Sequence, residues 1–80
     1  MKKGKEVTYS FYIDNGKRRL YVAPNQDLYP FIFKSTKYTS FHEGLKEVKK
    51  LSKVKKKLEL GYELGYVVTI TEYEFRKCIE

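Results

Sequence analysis

The lysines between Ser40 and Leu60 are the residues whose number and spacing point most directly to chemistry. On one continuous helix turning about 100° per residue, Lys46, Lys49, Lys50, Lys53, Lys56 and Lys57 fall within an arc of about 120°. Phe41, Leu45, Val48, Leu51 and Leu58 take the opposite half. Successive lysines on such a face stand about 5 to 6 Å apart along the axis, a spacing that meets phosphates in a row. A net charge of +7 over 80 residues favours the same polyanionic partners. Lysine is also a good helix former and suits the C-terminal end of the helix dipole, so a solvated face accounts for the same pattern.

A second cationic set contains aromatic rings. Val7, Tyr9, Phe11 and Ile13 alternate with Glu6, Thr8, Ser10 and Tyr12, which predicts a half-buried strand. Asp14-Asn15-Gly16-Lys17 predicts a type I′ turn with Asn15 and Gly16 at its centre, closing a hairpin with Phe11 opposite Leu20 and Tyr9 opposite Val22. Tyr12, Lys17, Arg19 and Tyr21 then share the outer face, where rings stack bases and cations hold phosphates. The same residue types also anchor protein interfaces or simply pair across strands.

Other reactive residues are isolated. His42 falls in a first helical turn with no second ligand at metal or catalytic spacing, and Cys78 is the single cysteine, so no zinc site or internal disulfide is expected. Glu72 and Glu74 share a strand face without a nucleophile nearby, which reads as solubilising charge. Gly61 and Gly65 lack the strand-to-helix setting of a phosphate loop. These absences lead us to expect no enzyme, no cofactor and no metal.

The elements that must position these residues form one domain over residues 1–80, with a flexible basic start at 1–4 and a tail at 76–80. A loop from Ala23 to Asp27 precedes a third strand, Tyr29 to Lys34, with Phe31 and Phe33 on one face. Ser40 with Glu43 is a capping box that opens a single helix to Leu60. Gly44 lies in its apolar arc, which predicts close approach of the helix backbone to the sheet. The apolar stripe drifts by about 80° after Val48, placing Lys55 on the apolar side and implying curvature, or irregularity near Ser52. Gly61 stops the helix, Gly65 reads as part of a turn, and Tyr66 to Phe75 is a last strand. The fold class is α+β: an antiparallel or mixed sheet of about four strands, β-β-β-α-β, with one amphipathic helix on one face. No apolar run approaches the ~20 residues that span a bilayer, so a soluble, cytoplasmic protein, monomeric or homodimeric, is expected.

The run from Val7 to Lys50, three strands and then Lys37-Tyr38-Thr39-Ser40-Phe41-His42-Glu43-Gly44-Leu45 opening a helix, resembles the arm-binding N-terminal domains of tyrosine recombinases. That resemblance implies a sheet entering the major groove of DNA, and the fourth strand departs from it. In size and style the chain is also similar to small accessory and anti-defence proteins of phages and archaeal viruses. Two functions follow as expectations. One is a nucleic-acid-binding accessory protein that meets phosphates through the lysine face. The other is an inhibitor of a host protein that acts by occlusion, through the tyrosine-rich sheet or an exposed strand edge.

Overall fold

The alternation from Val7 to Ile13 builds the central strand of the sheet. A computed structural model describes residues 2–75, with side chains for residues 4–71. Strands β1 (Lys2–Asp14), β2 (Arg19–Val22) and β3 (Leu28–Tyr29) precede helices α1 (Phe41–Lys50) and α2 (Ser52–Glu59), and β4 (Glu63–Phe75) follows. The strands lie in the order β3-β2-β1-β4, and every neighbouring pair is antiparallel. Phe11, Ile13, Leu20 and Val22 of the sheet form one core with Val48 of α1 and Val54 of α2, the two-layer arrangement expected of an α+β domain.

β1 and β4 are longer than the sequence suggests. Their pairing runs unbroken from Lys2 opposite Phe75 to Asp14 opposite Glu63. Lys2 to Gly4 are therefore strand and not a flexible start, and Gly65 belongs to β4 and not to a turn. The tail at 76–80, with Cys78, lies outside the described residues.

The hairpin register is two residues from the expected one, with Ile13 opposite Leu20 and Tyr12 opposite Tyr21. The cause is a four-residue loop, Asn15 to Arg18, in place of a type I′ turn. Asn15 Oδ1 accepts from the N–H groups of Lys17 (2.9 Å) and Arg18 (2.7 Å), and Asp14 Oδ1 accepts from Gly16 N–H at 2.6 Å. Only Gly16 takes a positive φ (89°), whereas type I′ geometry also demands one at Asn15. A slip of two preserves side-chain parity, so the apolar residues of both strands still share one face.

The third strand is cut short. Pro30 has no N–H with which to extend the ladder, and Ile32–Lys34 wind into a 3-10 helix closed by the Ser35 hydroxyl, which donates to Ile32 O at 2.6 Å. Phe31 and Phe33 therefore stack on each other, centroids 5.4 Å apart, with 52% and 73% of their surfaces exposed. Beyond β2 the chain returns to β1, where Tyr9 and Tyr38 exchange backbone hydrogen bonds of 2.8 and 2.9 Å.

Ser40 caps α1 as expected, accepting from Glu43 N–H at 3.4 Å. Gly44 faces the sheet: a Cβ there would stand 2.7 Å from Phe11 Cε2 and 2.8 Å from Tyr38 Cγ. The single helix expected to Leu60 is instead two, because Leu51 is extended (φ −71°, ψ 127°). Val48 and Val54 are both fully buried, yet on one straight helix they would point about 120° apart. The break at Leu51 turns both toward the sheet, and it resolves the drift of the apolar stripe. Gly61 ends α2 at φ 96°, where glycine carries no steric cost.

Candidate nucleic-acid interface

The break at Leu51 redistributes the lysines. Lys46, Lys49 and Lys50 remain together on the exposed side of α1. On α2, Lys53, Lys55 and Lys56 are exposed, whereas Lys57 is half-buried with its Nζ 5.3 Å from the centre of the Tyr62 ring. The continuous arc of six lysines is therefore corrected on two counts: Lys57 turns toward the body, and Lys55, which the straight-helix wheel puts on the apolar side, is solvent-facing. The 80° drift was the signal that could have placed Lys55. Lys53 donates to Asp27 Oδ1 at 2.9 Å, which ties α2 to the loop between β2 and β3. Lys46, Lys49, Lys50, Lys55 and Lys56 form no ion pair among the described residues.

The hairpin set comes together largely as expected. Tyr12 and Tyr21 meet edge to face at 5.7 Å, and the Arg19 guanidinium sits 3.9 Å from the Tyr12 ring centre. Lys17 stands apart at the exposed tip of the loop. The Tyr12 ring also lies over Gly65, where a Cβ would come within 2.5 Å of Tyr12 Cζ. Tyr12 is thus occupied by its own neighbours, Gly65 and Arg19, in the position a stacking base would take. Arg19 Nε donates to Asp14 Oδ2 at 2.8 Å, so its charge is met within the cluster. Of these two sets the helical one therefore carries more cations without a carboxylate partner, and Lys17 is the exposed exception on the hairpin.

The Arg19 hydrogen bond, reinforced by the Gly16 N–H, holds the Asp14 carboxyl below its ordinary value of 3.8. In turn Asp14 first, then Tyr21, holds the Arg19 guanidinium above its ordinary range. Asp14 also faces Glu63 across the sheet, a like-charge pair that Arg19 offsets. A depressed folded-state pKa contributes stability above the unfolded value, and that stability is lost as pH falls through the folded value. Arg19→Gln is therefore expected to melt below wild type at neutral pH, and the gap is expected to narrow as the pH falls below the ordinary carboxylate value and Asp14 takes up its proton. Thermal melts across that range decide it; a gap constant with pH would mean that the ion pair contributes nothing.

Two features escaped sequence reasoning. One is the exposed apolar cluster of Tyr29, Phe31, Ile32 and Phe33, with Lys34 Nζ 5.1 Å from the Tyr29 ring centre. Pro30 was its signal, since it forbids the continuous strand that would have placed these rings on a sheet. The other is a serine pair, Ser10 and Ser35, with hydroxyl oxygens 3.0 Å apart and Lys37 Nζ 3.4 Å from each. A hydroxyl beside an ammonium is the start of a nucleophile, but Ser10 is fully buried and cannot meet a substrate. The cluster satisfies polar groups inside the fold. His42 is exposed on α1, and no group of His, Cys, Asp and Glu suited to a metal occurs among the described residues. No helix among them is long and apolar enough to cross a membrane.

Fold and site together define a small α+β domain that carries a cationic helical layer. No family model matches the chain, and no similar curated protein or solved structure was found.

Proposed function

We propose that this protein is a small nucleic-acid-binding accessory protein that holds phosphates through lysines of α1 and α2. One observation carries the reading: five exposed lysines without carboxylate partners, on a helical layer whose seven lysines against Glu43, Glu47 and Glu59 leave a charge of +4 over Phe41 to Glu59. Each phosphate neutralised releases counterions, so affinity of this kind falls linearly with salt on logarithmic axes. For about five phosphates neutralised on a duplex the expected slope is roughly −4 to −5. Fluorescence anisotropy with a labelled duplex and a labelled single strand, titrated at several salt concentrations, measures it. Absence of binding at low salt, or a slope near zero, rejects the proposal.

The stacked, exposed pair Phe31 and Phe33 favours a second reading, a modulator of another protein that acts by occlusion. Large rings held at the surface are the usual anchors of such interfaces. That reading requires no nucleic-acid affinity, and it makes Phe31→Ala with Phe33→Ala the damaging change.

A further inference from the structure

β4 is the outer strand of the sheet, and along the edge it turns away from β1 it pairs with no strand among the described residues. An open edge of backbone N–H and C=O groups is a template for another strand, and folded proteins blunt such edges with lysine, proline, bulges or short length. β4 has none of these, and its charges, Glu63, Glu72 and Glu74, stand toward its two ends and leave residues 64–71 uncharged. It is 13 residues long, pairs with β1 without interruption, and contains no Lys, Arg or Pro although the chain carries 17 basic residues. The opposite edge, β3, has only two residues and is followed by Pro30. On the face that carries the helices, Tyr66, Val68 and Ile70 remain 49%, 44% and 59% exposed, because the core under α1 and α2 is drawn from β1 and β2.

We propose that this edge pairs antiparallel with the same edge of a second copy, in a two-fold dimer centred on Val67. The sequence of the strand selects both the occupant and the register. Centring on Val67 sets Leu64 opposite Ile70 and Tyr66 opposite Val68, each pair occurring twice, so the four apolar residues of one copy meet the four of the other. On the other face Gly65 meets Thr69 and Glu63 meets Thr71, so no carboxylate faces a carboxylate. Moving the centre to Val68 puts Glu72 opposite Leu64. Moving the register by one residue turns each inner side chain toward an outer one. For two copies each carrying +7, a strand free of cations is also the surface that meets least repulsion. The axis stands perpendicular to the sheet, so the dimer is one eight-stranded sheet with the helices of both copies on the same side. This inference holds whatever the helices bind.

Sedimentation equilibrium of the full chain is expected to show a reversible monomer–dimer system at micromolar concentration. Val68→Lys with Ile70→Lys is expected to shift it to monomer with an unchanged circular dichroism spectrum. On a Cys78→Ser background, Val67→Cys is expected to cross-link through a short bis-maleimide, while Thr69→Cys, which faces Gly65 of the second copy, is expected not to. A wild-type mass that stays monomeric throughout its soluble range, assemblies larger than a dimer, or cross-linking at 69 and not at 67 would each overturn the proposal. If the double-lysine variant fails to fold, the wild-type mass and the two cysteine variants still decide it.

Discussion

Gly44→Leu is expected to lower the stability of the domain by about 1 to 3 kcal/mol, although leucine gains roughly 1 kcal/mol of helix propensity over glycine. The competing terms differ in where they act. Propensity is a property of the helix alone, and on an exposed face it would win. At position 44 the first side-chain atom would already stand 2.7 Å from Phe11 and 2.8 Å from Tyr38, and both rings are held: Phe11 is buried, and Tyr38 packs on Phe11 at 5.7 Å. Burial, with the Glu47 carboxylate beside it, also holds the Tyr38 phenol above its ordinary pKa. Even Gly44→Ala is expected to destabilise. Adding Phe11→Leu, which removes the nearest ring atom, should make the double variant cost less than the sum of the singles. Urea unfolding of the two Gly44 variants, of Phe11→Leu and of the double variant measures these effects. A Gly44→Leu variant more stable than wild type would mean that the helix stands off the sheet.

Elements governed by local rules were legible in the sequence. Ser40 and Glu43 set the start of α1, Gly61 set the end of α2, and the alternation from Val7 to Ile13 set the core face of β1. What the sequence hid was decided by competition between distant elements. Asn15-Gly16 satisfies the rule for a two-residue turn, yet the Asn15 and Asp14 side chains hold a longer loop, and the register moves by two while every side chain keeps its face. Tyr29 to Lys34 has the composition of a strand, but Pro30 ends the ladder and the rings after it face solvent. The helix break was half visible: the drift of the apolar stripe implied it, and only the sheet, which draws both Val48 and Val54 inward, places it at Leu51. The lysine face inherits this ambiguity, since a wheel drawn through the break assigns Lys55 and Lys57 to the wrong sides.

That pair of residues gives the sharpest test of the proposed interface. Replacing Lys46, Lys49 and Lys50 with alanine is expected to reduce the salt slope by about 3, one unit for each phosphate left without its lysine. With a slope near −5, affinity falls about 1,000-fold between about 50 and 200 mM salt; with a slope near −2 it falls only about 16-fold. Changing the same three lysines together with Lys53, Lys55 and Lys56 to glutamate is expected to abolish binding. All six side chains are exposed, so the fold should persist in circular dichroism. The single variants then separate two geometries. On a continuous helix Lys57 belongs to the phosphate face and Lys55 does not. In the broken helix Lys55 is exposed and Lys57 leans on Tyr62. Lys55→Ala is therefore expected to lower the slope by about 1, and Lys57→Ala to leave it unchanged while reducing stability, since the ammonium no longer lies over the Tyr62 ring. The reverse outcome, a slope that responds to Lys57 and ignores Lys55, would mean that the bound protein presents a straight helix and that Leu51 is a hinge closed by the ligand.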